Sequence, residues 1–494
     1  MQVLAYCIEF FYLCVILGLA LYGLNSLYTT MLFLFTKRVS GRKALTSPEN
    51  WPPVTVQLPI YNEKYMVERL LRSITNLDYP TNQLQIQVLD DSSDDTVELV
   101  GQLVRQYRDR GINIEHIRRT DRKGYKAGAL DHGLKSATGQ LIGIFDADFV
   151  PHRDWLKRTV PLFQDKKLGC LQTRWGHTNR KYNSLTQAEA MAIDGHFVVE
   201  QTVRSRNDFF LNFNGTAGLW RRACIEDAGG WQWDTLTEDL DLSYRAQLRN
   251  WKIEYLPDVV VPAELPAQVE AFKKQQFRWA KGSFQVVRKI LPRVFEHSRL
   301  SLRVRFLALL HLTGYFVHPL MVALLLLTLP VGLLVPEVFK MFPLSIVAGF
   351  GPPLLYAVTS APRVPPLGER LKLIPLMTIM GFGISLSTSI AVLEGLMGKG
   401  GSFIRTPKLN LSNSHKQTRL IDQSYREPIS PLIWVEIALG LYALATILVL
   451  TPSIGWGIAP WMLVYAIGYF YIAGLNLIQN SPKEVGSMAE STAG

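Results

Sequence analysis

The sequence has 494 residues, of which 48% are hydrophobic and only 19% charged, so it has room for a catalytic domain and a membrane domain. Its net charge of +11 does not indicate nucleic-acid binding, because the Lys and Arg residues cluster beside apolar runs, as on the cytoplasmic flanks of membrane helices. The four cysteines form no CxxC or Cys/His pattern, which argues against a disulfide scaffold or a zinc site.

The N-terminal segment predicts a transmembrane helix. Residues 4–35 carry one formal charge, on Glu9, and basic residues follow them directly. A signal peptide would carry its positive charges first and end in small residues. We therefore expect a membrane helix over residues 1–36, with its C-terminal end in the cytoplasm, and a linker over 37–53.

Residues 54–283 have the pattern of a soluble α/β domain, in which short apolar runs alternate with helical patterns. The runs are 54–58, 84–89, 112–117, 141–145 and 169–173. This alternation predicts a doubly wound, mostly parallel sheet. Such sheets bind ligands beyond the carboxyl ends of their strands.

Acidic pairs follow two of these runs. Asp90 and Asp91 come directly after the second run, where a turn that caps the next helix is an equally good interpretation. Asp146 and Asp148 follow the fourth run, and two carboxylates at a strand end can hold a divalent ion together with diphosphate oxygens. The Asp-x-Asp pattern alone is a weak signal, which its position at a strand end strengthens.

Glycine-containing segments supply further candidate contacts. Lys126 lies among glycines, which let the backbone approach a phosphate while the lysine adds charge. Asn214, Gly215 and Thr216 form a loop whose amide and hydroxyl groups suit an acceptor sugar.

Two motifs lie further along, Thr237-Glu238-Asp239 and Gln275-x-x-Arg278-Trp279. Asp239 suits a base that takes a proton from an attacking hydroxyl. Arg278 suits the charge of a departing diphosphate, and Trp279 suits the apolar face of a sugar. Each motif alone has a structural interpretation, as a helix N-cap or as an interfacial anchor.

In this order the motifs resemble those of family 2 processive glycosyltransferases, the cellulose-synthase superfamily. The stretches at 61–63, 214–218 and 264–266 are closer to mannan, glucomannan and xyloglucan-backbone synthases than to cellulose synthases. Thr237 departs from the Val that plant mannan synthases tend to carry there, so the donor sugar stays open.

The resemblance implies a GT-A (Rossmann-like) cytosolic domain and a role for each matching residue. For the nucleotide it implies Tyr61, Glu63, Asp90, Asp91, Lys126 and Asp146. For a Mg²⁺ or Mn²⁺ ion it implies Asp146 and Asp148, and for catalysis Asp239 and Glu238. For the diphosphate and the acceptor it implies Gln275, Arg278, Trp279, Asn214, Gly215 and Thr216.

The C-terminal half predicts an α-helical transmembrane domain. Its segments are interfacial amphipathic helices at 284–305, two spans within 306–361, an interfacial or re-entrant helix at 373–397, a gating-like cytosolic loop at 398–428, two spans within 431–478 and a polar tail at 479–494. In the loop, Phe403, Arg405 and Thr406 resemble in part the Phe-x-Val-Thr gating loop of polysaccharide synthases. His311 and His318 share one helix face, which fits a sugar-lined path and interhelical hydrogen bonding equally well.

We therefore expect a membrane-integrated inverting glycosyltransferase that polymerises a β-linked polysaccharide, a β-1,4-glucan or a glucomannan or mannan, from UDP-glucose or GDP-mannose and translocates it. Its partners would be the nucleotide sugar, the growing polysaccharide and the lipid bilayer of a plasma, inner or Golgi membrane, with no nucleic acid. One alternative is a non-processive enzyme that glycosylates ceramide or diacylglycerol. A second is an inactive scaffold or transport subunit, which predicts a missing motif.

Overall fold

The computed structural model describes residues 2–35, 48–341, 343–401, 408, 410–411 and 428–480. In these residues the chain forms one seven-stranded sheet with helices on both faces, and a bundle of apolar helices drawn from the N-terminus and the C-terminal half.

The strands are β1 (Val54–Ile60), β2 (Leu84–Asp90), β3 (Ile114–Arg118), β4 (Leu141–Ile144), β5 (Leu168–His177), β6 (Gly218–Arg221) and β7 (Lys252–Ala263), in the spatial order β3-β2-β1-β4-β6-β5-β7. Strand β6 runs antiparallel to both of its neighbours, and the other pairs are parallel. The predicted mostly parallel sheet is confirmed, and each of the five apolar runs overlaps one of β1 to β5, although the third run begins two residues before β3 and the fourth ends one residue after β4. The sequence did not indicate β6 and β7, because β6 has four residues and β7 contains two prolines and a register shift against β5.

The helices around the sheet are α2 (Val67–Thr75), α3 (Thr96–Asp109), α4 (Tyr125–Leu134), α5 (Trp155–Thr159), α6 (Ser184–Asp194), α7 (Thr202–Arg206), α8 (Arg222–Asp227) and α9 (Glu238–Leu248), with a π-helix at Gly195–Gln201 after α6. Helix α4 lies close to the sheet because Gly133 carries no Cβ: an added Cβ would stand 2.7 Å from both Gln57 and Leu89. Gln57 in turn donates to Gln87 across β1 and β2 at 3.0 Å. This packing fixes the start of α4 beside the carboxyl ends of the parallel strands.

Helix α10 (Val269–Glu296) leads from the sheet domain into the membrane part. It carries the Gln275, Arg278 and Trp279 motif, and the predicted boundary at residues 283 and 284 falls inside it. The remaining helices are α1 (Gln2–Phe35), α11 (Leu302–Leu312), α12 (Val317–Leu334), α13 (Pro343–Val358), α14 (Leu367–Gly383), α15 (Ser385–Leu396), α16 (Ile433–Ile454) and α17 (Ala459–Asn480).

Four helical segments of the described chain are long and apolar enough to cross a membrane: Gln2–Phe35, Gly314–Leu334, Ile433–Ile454 and Trp456–Asn480. Helices α14 and α15 meet at a 51° bend, which fits a broken span or a re-entrant segment. Helix α13, at 16 residues, is short for the span expected there. It packs closely on α1, where Gly351 would place a Cβ 2.3 Å from the carbonyl oxygen of Gly23.

A buried ion cluster joins α10 to α16 and α17. The Lys273 ammonium lies 2.7 Å from Glu436 and 3.5 Å from Glu270, and Asn476 donates a hydrogen bond to Glu270. All four side chains are buried. A single cation therefore balances two carboxylates where water cannot do so, two residues before Gln275.

We expect Lys273→Met to destabilise the protein by about 3–5 kcal/mol, since it leaves two buried carboxylates without a cation. The measurement is the Tm of the detergent-solubilised chain by light scattering or intrinsic fluorescence. Adding Glu436→Gln should recover part of the loss. Lys166→Met, at an exposed lysine, is the matched control. A wild-type Tm for Lys273→Met would contradict the cluster.

Candidate active site

A pocket of about 190 Å³ opens at the carboxyl ends of β1, β2 and β4. The predicted site residues that line it are Tyr61, Glu63, Asp91, Lys126, Asp146, Asp148, Asn214, Gly215, Glu238, Asp239, Gln275, Arg278 and Trp279. They come from seven separate parts of the chain, and those that follow β1, β2 and β4 meet because parallel strands end at the same edge of the sheet.

Two predicted residues lie outside this lining. Asp90 is buried, lies 2.8 Å from His116 Nε2 and accepts a hydrogen bond from the backbone N–H of Ser92. Thr216 is also buried, and its hydroxyl oxygen accepts from the backbone N–H of Asp146 at 2.9 Å. Both therefore support the loops that carry their neighbours. The three predicted gating residues Phe403, Arg405 and Thr406 lie outside the described residues.

Lys126 is at the centre of the pocket. Its Nζ donates to Asp146 Oδ1 at 2.5 Å and to the carbonyl oxygen of Gly215 at 2.8 Å. Gly215 has φ +83°, and a Cβ there would stand 2.9 Å from Asp239 Oδ2. A residue without a side chain is therefore required at 215, both for the backbone conformation and for the contact. Lys126 and Asp239 consequently lie on either side of one glycine.

Asp239 is held in the first turn of α9, where the N–H of Leu240 donates to its Oδ1 at 2.8 Å. The pKa of the Asp239 carboxyl is raised to about 7: burial is the largest cause, the negative charge of Glu238 adds to it, and the Lys126 ammonium opposes both. Burial also raises the pKa of Glu238. A carboxyl that titrates near neutral pH suits a general base.

Arg278 shares this set of charges from the opposite wall. Burial lowers the pKa of its guanidinium, and the carboxylates of Glu238, Asp146 and Asp239 oppose that effect. The side-chain oxygen of Gln275, one turn earlier on α10, is buried without a hydrogen-bond partner in the described chain. Helix α10 can approach the base closely because Gly282 lies against Thr237, where an added Cβ would stand 2.5 Å away.

The end of the pocket near Tyr61 has a different character. The Arg122 guanidinium stacks over the Tyr61 ring, with Cζ 3.3 Å from the ring centroid. Asp91 is paired with Arg119, whose Nε donates to Asp91 Oδ1 at 3.0 Å. Arg119 also donates to the carbonyl oxygen of Lys123 at 2.8 Å. These contacts tie the loop after β2 to the start of α4 and build a flat cationic surface.

Asp146 and Asp148 are the residues that could hold a metal ion. Both line the pocket, and Asp148 Oδ2 lies 3.0 Å from Lys408 Nζ and accepts from the backbone N–H of Glu264 at 3.1 Å. No three His, Cys, Asp or Glu residues of the described chain converge to form a closed site. Two carboxylates fit a Mg²⁺ or Mn²⁺ ion that takes its other oxygen ligands from water and a bound diphosphate.

A second cavity, of about 750 Å³, continues from the pocket between the apolar helices. The residues that line both spaces, here called the junction, are Trp175, Glu189, Ile193, Asn214, Thr237, Asp239 and Trp279. His311 and His318 line this membrane cavity, together with Tyr22, Tyr315 and Tyr356. His311 also lies 2.7 Å from the hydroxyl of Tyr244 on α9. The same side chain thus makes a hydrogen bond between helices and lines the cavity.

One wall of the membrane cavity was missed by the sequence reasoning. Glu189, Ile193, His196 and Glu200 follow one another at helical spacing along α6 and the π-helix, and all four line the cavity. His196 Nδ1 lies 2.8 Å from Glu200, and its Nε2 lies 3.1 Å from the Asn214 amide. Polar residues on one face of an otherwise apolar helical stretch were the signal available in the sequence. π-helical turns often occur at functional sites.

A mostly parallel sheet whose carboxyl ends carry an Asp-x-Asp pair, a buried carboxyl at Asp239 and the cations Lys126 and Arg278 is the arrangement of a GT-A-type glycosyltransferase domain. Residues 52–282 match the family described as Glycosyltransferase like family 2. The resemblance in the sequence is thereby confirmed.

Known relatives include plant enzymes. The chain is 41% identical over 259 residues to probable glucomannan 4-β-mannosyltransferase 11 of Arabidopsis thaliana, covering 51% of this chain and 58% of that protein. It is 35% identical over 384 residues to probable glucomannan 4-β-mannosyltransferase 7 of Oryza sativa subsp. japonica, covering 76% and 64%. The chain spans between 45% and 64% of the length of the curated relatives it matches.

Among solved structures, the mannosyltransferase PcManGT from Pyrobaculum calidifontis, in complex with GDP-Man and Mn²⁺, is similar with a TM-score of 0.49 and 20% sequence identity. The match covers 78% of this chain and 99% of that one.

The pKa of Asp239 predicts the pH dependence of transfer. A base works only when ionised, so kcat/KM should fall about tenfold for each pH unit below about 7 and level off above it. Glu238→Gln removes a charge that raises this pKa, so it should move the acid limb to lower pH. The measurement is the release of nucleoside diphosphate across the pH range.

Asp239→Asn should reduce kcat by about 10²–10⁴-fold at pH 7 and above, because an amide cannot accept the proton, and it should remove the acid limb of the profile. Glu226→Gln, at an exposed helical carboxylate, is the control and should keep the wild-type profile. A wild-type rate for Asp239→Asn would exclude it as the base.

Proposed function

We propose that the protein is a membrane-integrated inverting glycosyltransferase that extends a β-1,4-linked polysaccharide of the mannan or glucomannan type. One observation carries the proposal: the pocket that gathers Lys126, Asp239 and Arg278 opens, at Asp239 and Trp279, into a cavity between apolar helices. A polymer synthase needs such a continuity, since each new sugar must move away from the base before the next transfer.

The proposed chemistry is a single displacement at the anomeric carbon of the donor. Asp239 takes the proton from the attacking hydroxyl of the acceptor, while the bond from the sugar to the diphosphate breaks. The leaving diphosphate carries the negative charge, which Lys126 and Arg278 offset. With one base and no carboxylate nucleophile assigned, an α-linked donor gives a β-linked product.

Asp146 and Asp148 would hold the divalent ion, Mg²⁺ or Mn²⁺, whose charge supports departure of the diphosphate. The Lys126 ammonium already touches Asp146, so the protein supplies one fixed positive charge on this side of the pocket. Tyr61, stacked with Arg122, offers the nucleotide base an aromatic face at the far end.

The relatives named as glucomannan 4-β-mannosyltransferases support a mannosyl donor, and we infer that it is GDP-mannose. UDP-glucose is the second candidate donor, for the glucosyl units of a mixed chain. The basic residues that follow the first apolar helix support a cytosolic position for the catalytic domain. Localisation of the tagged chain would distinguish a Golgi membrane from the plasma membrane.

The two alternative functions make different predictions. A glycolipid synthase transfers one sugar to ceramide or diacylglycerol and has no use for a cavity whose walls carry His311, His318 and three tyrosines. Aromatic and imidazole groups suit sugar rings, which supports the polysaccharide. An inactive scaffold predicts a missing motif, and the sequence contains every one of them.

The deciding experiment supplies the purified chain with GDP-mannose or UDP-glucose separately, with Mg²⁺ or Mn²⁺ and a short β-1,4-mannan primer. We expect long, β-mannanase-sensitive product from GDP-mannose. A single labelled glycolipid would establish the non-processive enzyme instead. Nucleoside diphosphate release that Asp239→Asn leaves unchanged would favour the scaffold.

The membrane cavity provides a separate test of translocation. Gly381 on α14 lines the cavity, and a Cβ there meets no other heavy atom within 4 Å. Gly381→Phe should therefore fold normally while it obstructs the cavity, so that products become shorter and polymer yield falls severalfold while nucleoside diphosphate release without a primer persists.

Gly368→Phe is the matched control for this variant. Gly368 lies on the same helix, also has no heavy atom within 4 Å of an added Cβ, and is exposed away from the cavity. It should give wild-type product lengths. Equal product lengths for both variants would remove the cavity from the pathway of the polymer.

A further inference from the structure

Glu189 on α6 is buried at the junction without a hydrogen-bond partner. The residue is only 3% exposed, and neither carboxyl oxygen has a hydrogen-bond partner in the part of the chain that the structure describes. A buried polar group without partners is costly and rare in folded proteins. Since Glu189 lines both the pocket and the membrane cavity, the missing partner is expected to be a ligand.

Among the described residues, the surroundings of Glu189 offer it no cation that is not already paired. Lys408 is the basic group that acts on it, but the Lys408 ammonium is already bound to Asp148 and to the backbone carbonyl of Glu264. Burial raises the pKa of the Glu189 carboxyl to about 8, and Lys408 opposes this effect. At neutral pH the group therefore offers one O–H donor and one acceptor oxygen.

The other junction residues define what kind of ligand fits. Trp175 and Trp279 provide aromatic surface. The Asn214 amide is already bound, since Gln201 donates to its oxygen at 2.6 Å and its nitrogen lies against His196. Asp239 is the proposed base that accepts the proton of the attacking hydroxyl. Among the described residues, the junction side chains with a buried polar atom that has no hydrogen-bond partner are therefore Glu189, Thr237 at its hydroxyl and Trp175 at its indole N–H.

A donor and an acceptor beside aromatic rings match a hydroxyl-bearing pyranose. We propose that Glu189 binds a ring hydroxyl of the terminal sugar of the acceptor glycan, and thereby fixes which of its hydroxyls faces Asp239. Glu189 is then a positioning residue for linkage specificity. It lies outside all of the sequence motifs described above. The inference rests on the proposed function, since it requires a glycan acceptor at the junction.

The test measures acceptor binding apart from catalysis. A β-1,4-mannohexaose is titrated calorimetrically into the purified full-length chain without donor. Glu189→Gln keeps a donor and an acceptor, so its Kd should stay within about threefold of wild type. Glu189→Leu removes both, so its Kd should rise by roughly ten- to hundredfold.

Kinetics and stability separate this role from a structural one. For Glu189→Leu the KM for the oligosaccharide should rise and the KM for the nucleotide sugar should stay unchanged, with rescue in Glu189→Gln. Its Tm should equal or exceed that of the wild type, because an apolar side chain replaces an unsatisfied polar one. A Glu189→Leu variant that melts early would overturn the inference in favour of a structural role.

Oligosaccharides that lack one hydroxyl on the terminal sugar identify the bonded position. One of these deoxy compounds should bind the wild type more weakly than the complete oligosaccharide does. The same compound and the complete oligosaccharide should bind Glu189→Leu equally well, because the variant has lost the contact with that hydroxyl. Unchanged acceptor binding in Glu189→Leu, with transfer intact in the wild type, would overturn the assignment of Glu189. A wild type that neither binds nor extends the hexaose would instead overturn the proposed function, and the inference with it.

Discussion

The contact of Lys126 with Asp146 and with the carbonyl oxygen of Gly215 is the interaction on which the site depends. It joins the start of α4, the end of β4 and the loop before β6, three segments that are distant in sequence. An ammonium in this position lets two carboxylates, Asp146 and Asp239, lie in one buried space. Without it, repulsion between like charges and the loss of hydration would both oppose the arrangement.

The same electrostatic balance gives the site its chemistry. The carboxyl groups of Asp146, Glu238 and Asp239 lie near two cations, Lys126 and Arg278. Burial and the neighbouring charges shift the pKa of Glu238, Asp239 and Arg278. Burial alone would keep Asp239 protonated at neutral pH, and Lys126 limits that effect. The Asp239 carboxyl is therefore held close to its ionisation point, which is where a proposed general base would work best, because proton transfer then costs little in either direction. The burial of Arg278 and Lys126 also strengthens their attraction for an anion such as a diphosphate.

Sequence patterns predicted the buried strands, which are runs of apolar residues, and the acidic residues that follow them. Five apolar runs gave five strands, and the acidic pair after β4 lies at the pocket as its position at a strand end required. Asp90 shows the limit of this reasoning, because its neighbour Asp91 points into the pocket and only the structure tells which of two adjacent carboxylates does so. Glu189 lies among alanines and a methionine in a helix that would pass as ordinary core, and its role depends on packing between distant segments.

The coupling between the catalytic domain and the membrane part follows from the length of α10. This helix has 28 residues, a length of about 40 Å at 1.5 Å per residue, so one rigid element carries Arg278 and reaches the apolar bundle. Gly282 sets its distance from Thr237, and Lys273 fixes its other face against α16. The helix that carries Arg278 is therefore tied both to the apolar bundle and to the loop before Asp239. Trp279 on this same helix lines both the pocket and the membrane cavity, so the contacts that place α10 also shape the junction between the two spaces.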